Sequence, residues 1–289
     1  LHDDQLFCAI IAHMMESHLR LKRAAAPIAK ADLIEGVVRG MAVLESFDLQ
    51  RQRLNATLAA ERAGITRAAA RRHLLTLTHL GYLESDGRYF WLSAKVLRLS
   101  GSFLATSRLP RAVQPMLDRL ALQTGEAYSV AVLDGQEVVI VGRSGPAVGR
   151  VGRAGPMASV QAYGLHLGAR LPAHATSTGR MLLACLPPAR FRRWLADCRA
   201  GGGLARLTPM TLTDPARLSL AVAQARQDDH CCVSQEHELG VEAVAVPLRD
   251  RQGHVVAALN LVSTPSAMPA LDQVLPVLLG AASQLRPAL

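Results

Sequence analysis

Residues 54–92 read Leu54-Asn-Ala-Thr-Leu-Ala-Ala-Glu-Arg-Ala-Gly-Ile-Thr-Arg-Ala-Ala-Ala-Arg-Arg-His-Leu-Leu-Thr-Leu-Thr-His-Leu-Gly-Tyr-Leu-Glu-Ser-Asp-Gly-Arg-Tyr-Phe-Trp-Leu92. Thr57 is placed to cap a short helix over 58–63, and Gly64 supplies the permissive backbone where that helix ends. Thr66 caps a second helix that runs to Leu80 and stops at Gly81. With Ala70 set at zero on a helical wheel of about 100° per residue, Leu74, Leu77 and Leu80 fall within about 80° of it and form a buried stripe. Arg67, Arg71 and Arg72 spread over the other side, with small Ala68 between them. Tyr82–Glu84 and Tyr89–Leu92 then flank Ser85-Asp86-Gly87-Arg88, whose Asp-Gly pair signals a hairpin. Three exposed arginines on one helix are by themselves an ordinary solvated face. Their coupling to a capped preceding helix, a Gly turn and a hairpin at close spacing gives instead the winged form of the helix-turn-helix, which lays its second helix in a DNA major groove. Arg88, near the hairpin tip, would sit beside the minor groove or phosphates.

Working outward, Ile34–Phe47 carries apolar residues at helical spacing and predicts a first helix packed beneath the other two, followed by a polar turn over 48–53. Residues 1–33 are expected to be an N-terminal arm, and 34–92 the DNA-binding domain. The net charge of +9 suits a polyanionic partner. Bulk charge does not locate the DNA face, because residues 34–92 hold eight Arg against six Asp or Glu, whereas 93–289 hold twenty Lys or Arg against thirteen acids. Local clustering does: Arg62, Arg67, Arg71 and Arg72 fall within eleven residues that contain no acid. No apolar run reaches the roughly 18 residues of a spanning helix, and Asp3 and Asp4 stand where a secretory signal would want positive charge, so a cytoplasmic protein without a membrane partner is expected. Five cysteines without a CxxC spacing indicate reduced thiols rather than a disulfide framework or a zinc site.

Downstream, 93–108 reads as a linking helix, with a break at Pro110, and 109–289 as a second domain. A helix over 111–124 is followed by strands at 127–133 and 137–141 around the Asp134-Gly135 turn. Residues 142–158 are rich in Gly, Pro and Arg and read as a loop, and 159–168 as a further strand. Thr176-Ser177-Thr178-Gly179 leads straight into an apolar helix, so it presents free backbone N–H groups and small hydroxyls where a carboxylate or phosphate could sit; simple capping explains it equally well. Helices over 187–198, 218–227 and 269–285 and strands over 241–247 and 255–262 complete an α+β domain rather than a doubly wound sheet.

These residues resemble the IclR family of bacterial transcription regulators. The resemblance rests on Ile34-Glu-Gly-Val-Val-Arg-Gly-Met-Ala-Val-Leu-Glu-Ser-Phe47, Gly64-Ile-Thr-Arg-Ala-Ala-Ala-Arg-Arg72, Leu171-Pro-Ala-His-Ala-Thr-Ser-Thr-Gly-Arg180 and Gly240-Val-Glu-Ala-Val-Ala-Val-Pro-Leu-Arg-Asp250, in that order, from about 34 to 285. It implies a winged helix-turn-helix, a linking helix and a GAF-like effector domain with an antiparallel sheet, assembled as a homodimer or homotetramer on palindromic double-stranded DNA. The DNA-contact set is then Thr57, Thr66, Arg67, Ala68, Arg71, Arg72 and Arg88. Carried across by position, the family's effector pocket falls on Val160, Tyr163, Ser177, Thr178, Val233, Ala243, Asn260 and Val262. Gln235-Glu-His-Glu-Leu-Gly240 and the recognition helix resemble the subgroup controlling protocatechuate and 4-hydroxybenzoate breakdown, which implies a small carboxylic acid, foremost an aromatic one, as effector. Two departures from the subgroup are expected to change charge near the pocket mouth: Val241-Glu242-Ala243 places an anion where a cation is usual, and the Arg- and Gly-rich loop is longer.

Two other readings stay open: a regulator sensing a non-aromatic acid, and a metal- or thiol-dependent enzyme using His230, Cys231, Cys232, Glu236, His237 and Glu238. Adjacent cysteines on a strand face opposite ways and do not easily reach one metal, so no metal, cofactor or catalytic residue is expected.

Overall fold

The computed structural model describes residues 29–48, 51–144 and 166–289. They divide between Ser107 and Arg108 into two compact units. The expected arm therefore falls almost wholly outside the described residues, as do most of the Arg- and Gly-rich loop, most of the 159–168 strand, and Val160 and Tyr163.

The first unit opens with α1 (Glu35–Leu44), α2 (Ala56–Ala63) and α3 (Arg67–His79). The cap of α2 is Asn55 and not Thr57: Asn55 Oδ1 accepts the N–H groups of Thr57 and Leu58, both at 3.0 Å. Thr57 already lies in the first turn, exposed to solvent. Gly64 ends α2 in the left-handed region (φ 65°), and Thr66 Oγ1 accepts the Ala69 N–H to start α3, both as expected. Ala70 and Leu74 of α3 are buried with Val43, Leu54, Ala59 and Ala60, whereas Leu80 is 49% exposed. The wheel failed there because the helix has ended: Leu80 is its C-cap, its carbonyl accepts Lys95 Nζ at 2.6 Å, and Gly81 (φ 78°) reverses the chain.

Strands β1 (Leu83–Ser85) and β2 (Phe90–Leu92) pair antiparallel around a four-residue turn over 86–89. Asp86 Oδ1 accepts the N–H groups of Arg88 and Tyr89, and this lowers its pKa. Leu54 and Phe90 exchange both backbone hydrogen bonds, tying the wing to the start of α2. The expected linking helix is a short 3-10 turn (Ala94–Val96) and then α4 (Leu97–Thr106), whose Leu97, Leu99 and Phe103 are exposed.

The second unit begins with α5 (Arg108–Thr124). Pro110 does not break the chain; it lies in the first turn of α5, where a missing N–H costs nothing. A six-stranded antiparallel sheet follows in the order β5-β4-β3-β8-β7-β6. Its strands are β3 (Ala127–Asp134), β4 (Glu137–Ser144), β5 (Arg170–Pro172), β6 (Cys231–Ser234), β7 (Glu242–Arg249) and β8 (Val255–Ser263). Gly142, Arg143 and Ser144, expected in the loop, extend β4 and pair with β3. One sheet face packs on α5 and α9 (Leu271–Leu285) through Tyr128, Leu259 and Leu261. The other packs on α6 (Ser177–Cys185), α7 (Pro188–Ala200) and α8 (Pro215–Asp228) through Met181, Leu183, Trp194 and Leu218.

Helix α6 is buried along its first eight residues. It enters so closely that a Cβ on Gly179 would lie 2.2 Å from the Ala173 carbonyl oxygen, which is backbone and cannot swing away. Gly179→Ala should destabilise the protein by about 3 kcal/mol or more. Gly280→Ala in α9 meets nothing within 4 Å and should be neutral or stabilising by up to about 1 kcal/mol. Urea unfolding of the two variants measures the contrast.

Candidate functional site

Between the N-terminus of α6 and the 235–241 segment, the helix-covered face of the sheet leaves an open-mouthed cavity. Ala131, Ile140, Leu171, Val233, Ala243 and Val262 make the walls largely apolar. Polar groups enter from three places: Ser129 and Asn260 on β3 and β8, Thr176–Thr178 at the start of α6, and Glu236–Glu238.

The start of α6 leaves polar groups without partners. Thr176 Oγ1 accepts the Gly179 N–H at 3.2 Å, which leaves the Ser177 and Thr178 N–H groups in the first turn without an intrahelical acceptor. Ser177 is 1% exposed, and its Oγ has no partner among the described residues. On the sheet, Ser129 Oγ donates to Asn260 Oδ1 at 2.5 Å, and both residues line the cavity.

Arg180 and Glu236 lock the two sides together. Arg180 Nη1 donates to Glu236 Oε1 at 2.7 Å, Nη2 pairs with Oε2, and Arg180 Nε donates to the His174 carbonyl at 2.8 Å. Glu236 Oε2 also accepts the Leu212 N–H at 3.0 Å, while Thr208 and Thr211 hydroxyls hold the Glu236 carbonyl. Both side chains are buried and mutually neutralised. His174 Nε2 donates to the Ala205 carbonyl at 2.9 Å; burial first, and the Arg180 charge further, lowers its pKa, so it is neutral at pH 7. Burial raises the pKa of Glu238. Among the described residues no Lys or Arg lines the cavity.

Six of the eight expected effector residues, Ser177, Thr178, Val233, Ala243, Asn260 and Val262, converge on this one cavity. Glu242 does not: it pairs with Ser234 on the opposite sheet face and accepts the Ser234 hydroxyl at 2.6 Å, so the expected charge change at the mouth is corrected there. Ser129, Ile140 and the Glu236–Glu238 run were not assigned to the pocket from sequence. Glu236 and His237 stood out as part of the Gln235–Gly240 stretch that resembles the subgroup and as metal-ligand types, and the metal-ligand set disperses. Cys231 is buried and Cys232 exposed, burial pushes the Cys231 thiol up to about 12, and His230 Nδ1 lies 3.0 Å from the Asp228 carbonyl. No group of three or more His, Cys, Asp or Glu among the described residues could hold a metal ion.

In the first unit, Arg67, Ala68, Arg71 and Arg72 lie together on the exposed side of α3, with Thr66 at its cap and Thr57 exposed on α2. Arg62, part of the charge cluster, is paired with Asp48 and so leaves that set. Arg88 stands over the Tyr89 ring at 5.3 Å in the wing turn, and Arg53 over Trp91 at 4.3 Å.

Residues 36–87 match the IclR helix-turn-helix domain and residues 102–286 the bacterial transcriptional regulator IclR C-terminal domain. The chain belongs to the IclR family. It is 47% identical to the Pca operon regulatory protein of Acinetobacter baylyi over 90% of both chains. It is 45% identical to the p-hydroxybenzoate hydroxylase transcriptional activator of the same organism, over 94% of this chain and 99% of that one. A double mutant of the PobR inducer-binding domain from Acinetobacter, solved with 3-hydroxybenzoic acid, is 41% identical with a TM-score of 0.55, covering 62% of this chain and 98% of that one. This IclR-family chain is thus a DNA-binding transcriptional regulator and not an enzyme. No helix among the described residues is long and apolar enough to cross a membrane.

Replacing Arg180 by Met strands the Glu236 carboxylate and should cost about 3–5 kcal/mol in denaturant unfolding. Changing Arg67, Arg71 and Arg72 together to Ala should weaken operator binding and flatten the plot of log K against log salt by about 0.9 for each phosphate no longer neutralised. Titrations at several salt concentrations measure this.

Proposed function

We propose that the regulator is controlled by a small aromatic monocarboxylate held in the cavity between α6 and the 235–241 segment. The observation that carries this reading is the buried, unpartnered Ser177 Oγ at the anion-seeking end of α6, facing a mainly apolar cavity. A helix N-terminus is worth about half a positive charge. Two free N–H groups and a hydroxyl suffice for one carboxylate, and the apolar walls suit a ring. The absence of lining Lys or Arg among the described residues argues against polyanionic effectors. The names of the two Acinetobacter relatives, and the 3-hydroxybenzoic acid in the PobR domain, favour the aromatic over the non-aromatic class.

On this reading Arg67, Ala68, Arg71 and Arg72 enter the major groove of a palindromic operator, Thr57, Thr66 and Arg88 contact its backbone, and the chain acts as a homodimer or homotetramer. The effector works by binding one arrangement of that assembly better than another, and α4 transmits the bias to the spacing of the recognition helices.

Thr178→Trp fills the cavity and should abolish the operator-binding response to 4-hydroxybenzoate while leaving operator affinity itself within about twofold of wild type, a free-energy change of about 0.4 kcal/mol. Gel-shift titrations with and without the acid measure both. An unchanged response in this variant would place the effector elsewhere.

A further inference from the structure

Besides Ser177 Oγ, the cavity wall contains a second buried polar atom with no partner among the described residues, His237 Nδ1. An unpaired buried group of this kind costs about 1–3 kcal/mol. It belongs to a different element from Ser177, the 235–241 segment, which Arg180 and Glu236 hold against α6. Two orphaned polar atoms on separate elements of a cavity whose lining is otherwise largely apolar describe a ligand polar at two points and apolar between them.

The surrounding charges decide which polar group goes where. Burial lowers the pKa of His237 and the neighbouring His174 lowers it further, so the ring is neutral at pH 7. Glu236 on one side is taken up by Arg180, and Glu238 on the other lines the cavity. A ligand carboxylate beside His237 would meet a neutral imidazole and an acid. The same carboxylate at α6 meets free N–H groups and the positive end of the helix. What suits His237 is a neutral group that both donates and accepts, since neutral imidazole presents either an N–H or a lone pair at Nδ1. A phenolic hydroxyl is such a group.

We propose that His237 is the specificity-determining residue of the cavity, hydrogen-bonding a ring hydroxyl of a hydroxylated benzoate whose carboxylate sits at the α6 N-terminus. This rests on the effector reading of the same cavity. A site built to pair a buried hydroxyl rejects the analogue that lacks it, because its own polar atom is then left dry and unpaired.

Isothermal titration of the full chain with benzoate, 4-hydroxybenzoate and 3,4-dihydroxybenzoate, in wild type, His237→Leu and His237→Gln, tests this. Wild type should bind at least one hydroxylated acid about tenfold or more tighter than benzoate. His237→Leu should lose that preference while keeping benzoate affinity within about twofold, and His237→Gln should restore part of it. A His237→Leu protein that keeps the preference, or that weakens all three acids alike, overturns the assignment of His237 and leaves the cavity reading standing. A wild-type protein that binds none of the three acids overturns the cavity reading, and this proposal with it.

Discussion

A guanidinium and a carboxylate buried together, Arg180 and Glu236, set the geometry on which the effector unit depends. Removing either ion from water costs several kcal/mol even after relaxation, and only close pairing with full hydrogen bonding offsets it. Arg180 meets this by reaching both Glu236 oxygens and the His174 carbonyl. Glu236 meets it by also accepting the Leu212 N–H. The pair therefore contributes little net stability over an apolar substitute but makes any other placement of α6 against the 235–238 segment expensive. Next to Arg180 in the chain, Gly179 lies against the Ala173 backbone where only glycine fits.

A consequence for recognition is that Arg180, which holds Glu236 in the cavity wall, is already neutralised. On the proposed reading, the cavity's pull on an anion comes from partial charges at a helix end, which favour one carboxylate in a dry, low-dielectric setting. The arginines of α3 are exposed and lack partners among the described residues, and in the proposed operator contact they would work by the opposite physics, attracting phosphates through a field that salt screens. Ligand selectivity should thus depend on short-range hydrogen bonds, and DNA affinity on ionic strength.

Features determined by neighbours in the chain were legible in the sequence. Gly64, Thr66 and the Asp86-Gly87 and Asp134-Gly135 turns act on backbone within a few residues of themselves, and the structure keeps them in those roles. A cap misplaced by two residues was harder to see: Thr57 has the right side chain, but the backbone extends at Asn55, whose side chain takes that role. Leu80 has the right wheel angle but lies past the last turn. Partners distant in sequence were not legible at all. Arg180 and Glu236 are 56 residues apart, and without that pairing Glu236 and His237 resembled metal ligands as much as the wall of a pocket. The helix start at Thr176–Gly179 is legible as a place for an anion, yet capping alone explains it until the unpartnered Ser177 hydroxyl is seen inside a cavity.

The central claim is that occupancy of the cavity and occupancy of DNA are energetically coupled. The direct measurement is the closed cycle: affinity of the full chain for a duplex selected from random sequence by the protein itself, with and without saturating 4-hydroxybenzoate, and affinity for 4-hydroxybenzoate with and without that duplex. Coupling predicts that both affinities change, and by the same factor, on the order of 5- to 150-fold. Affinities that are unchanged by the other ligand, with both ligands bound, would contradict the account.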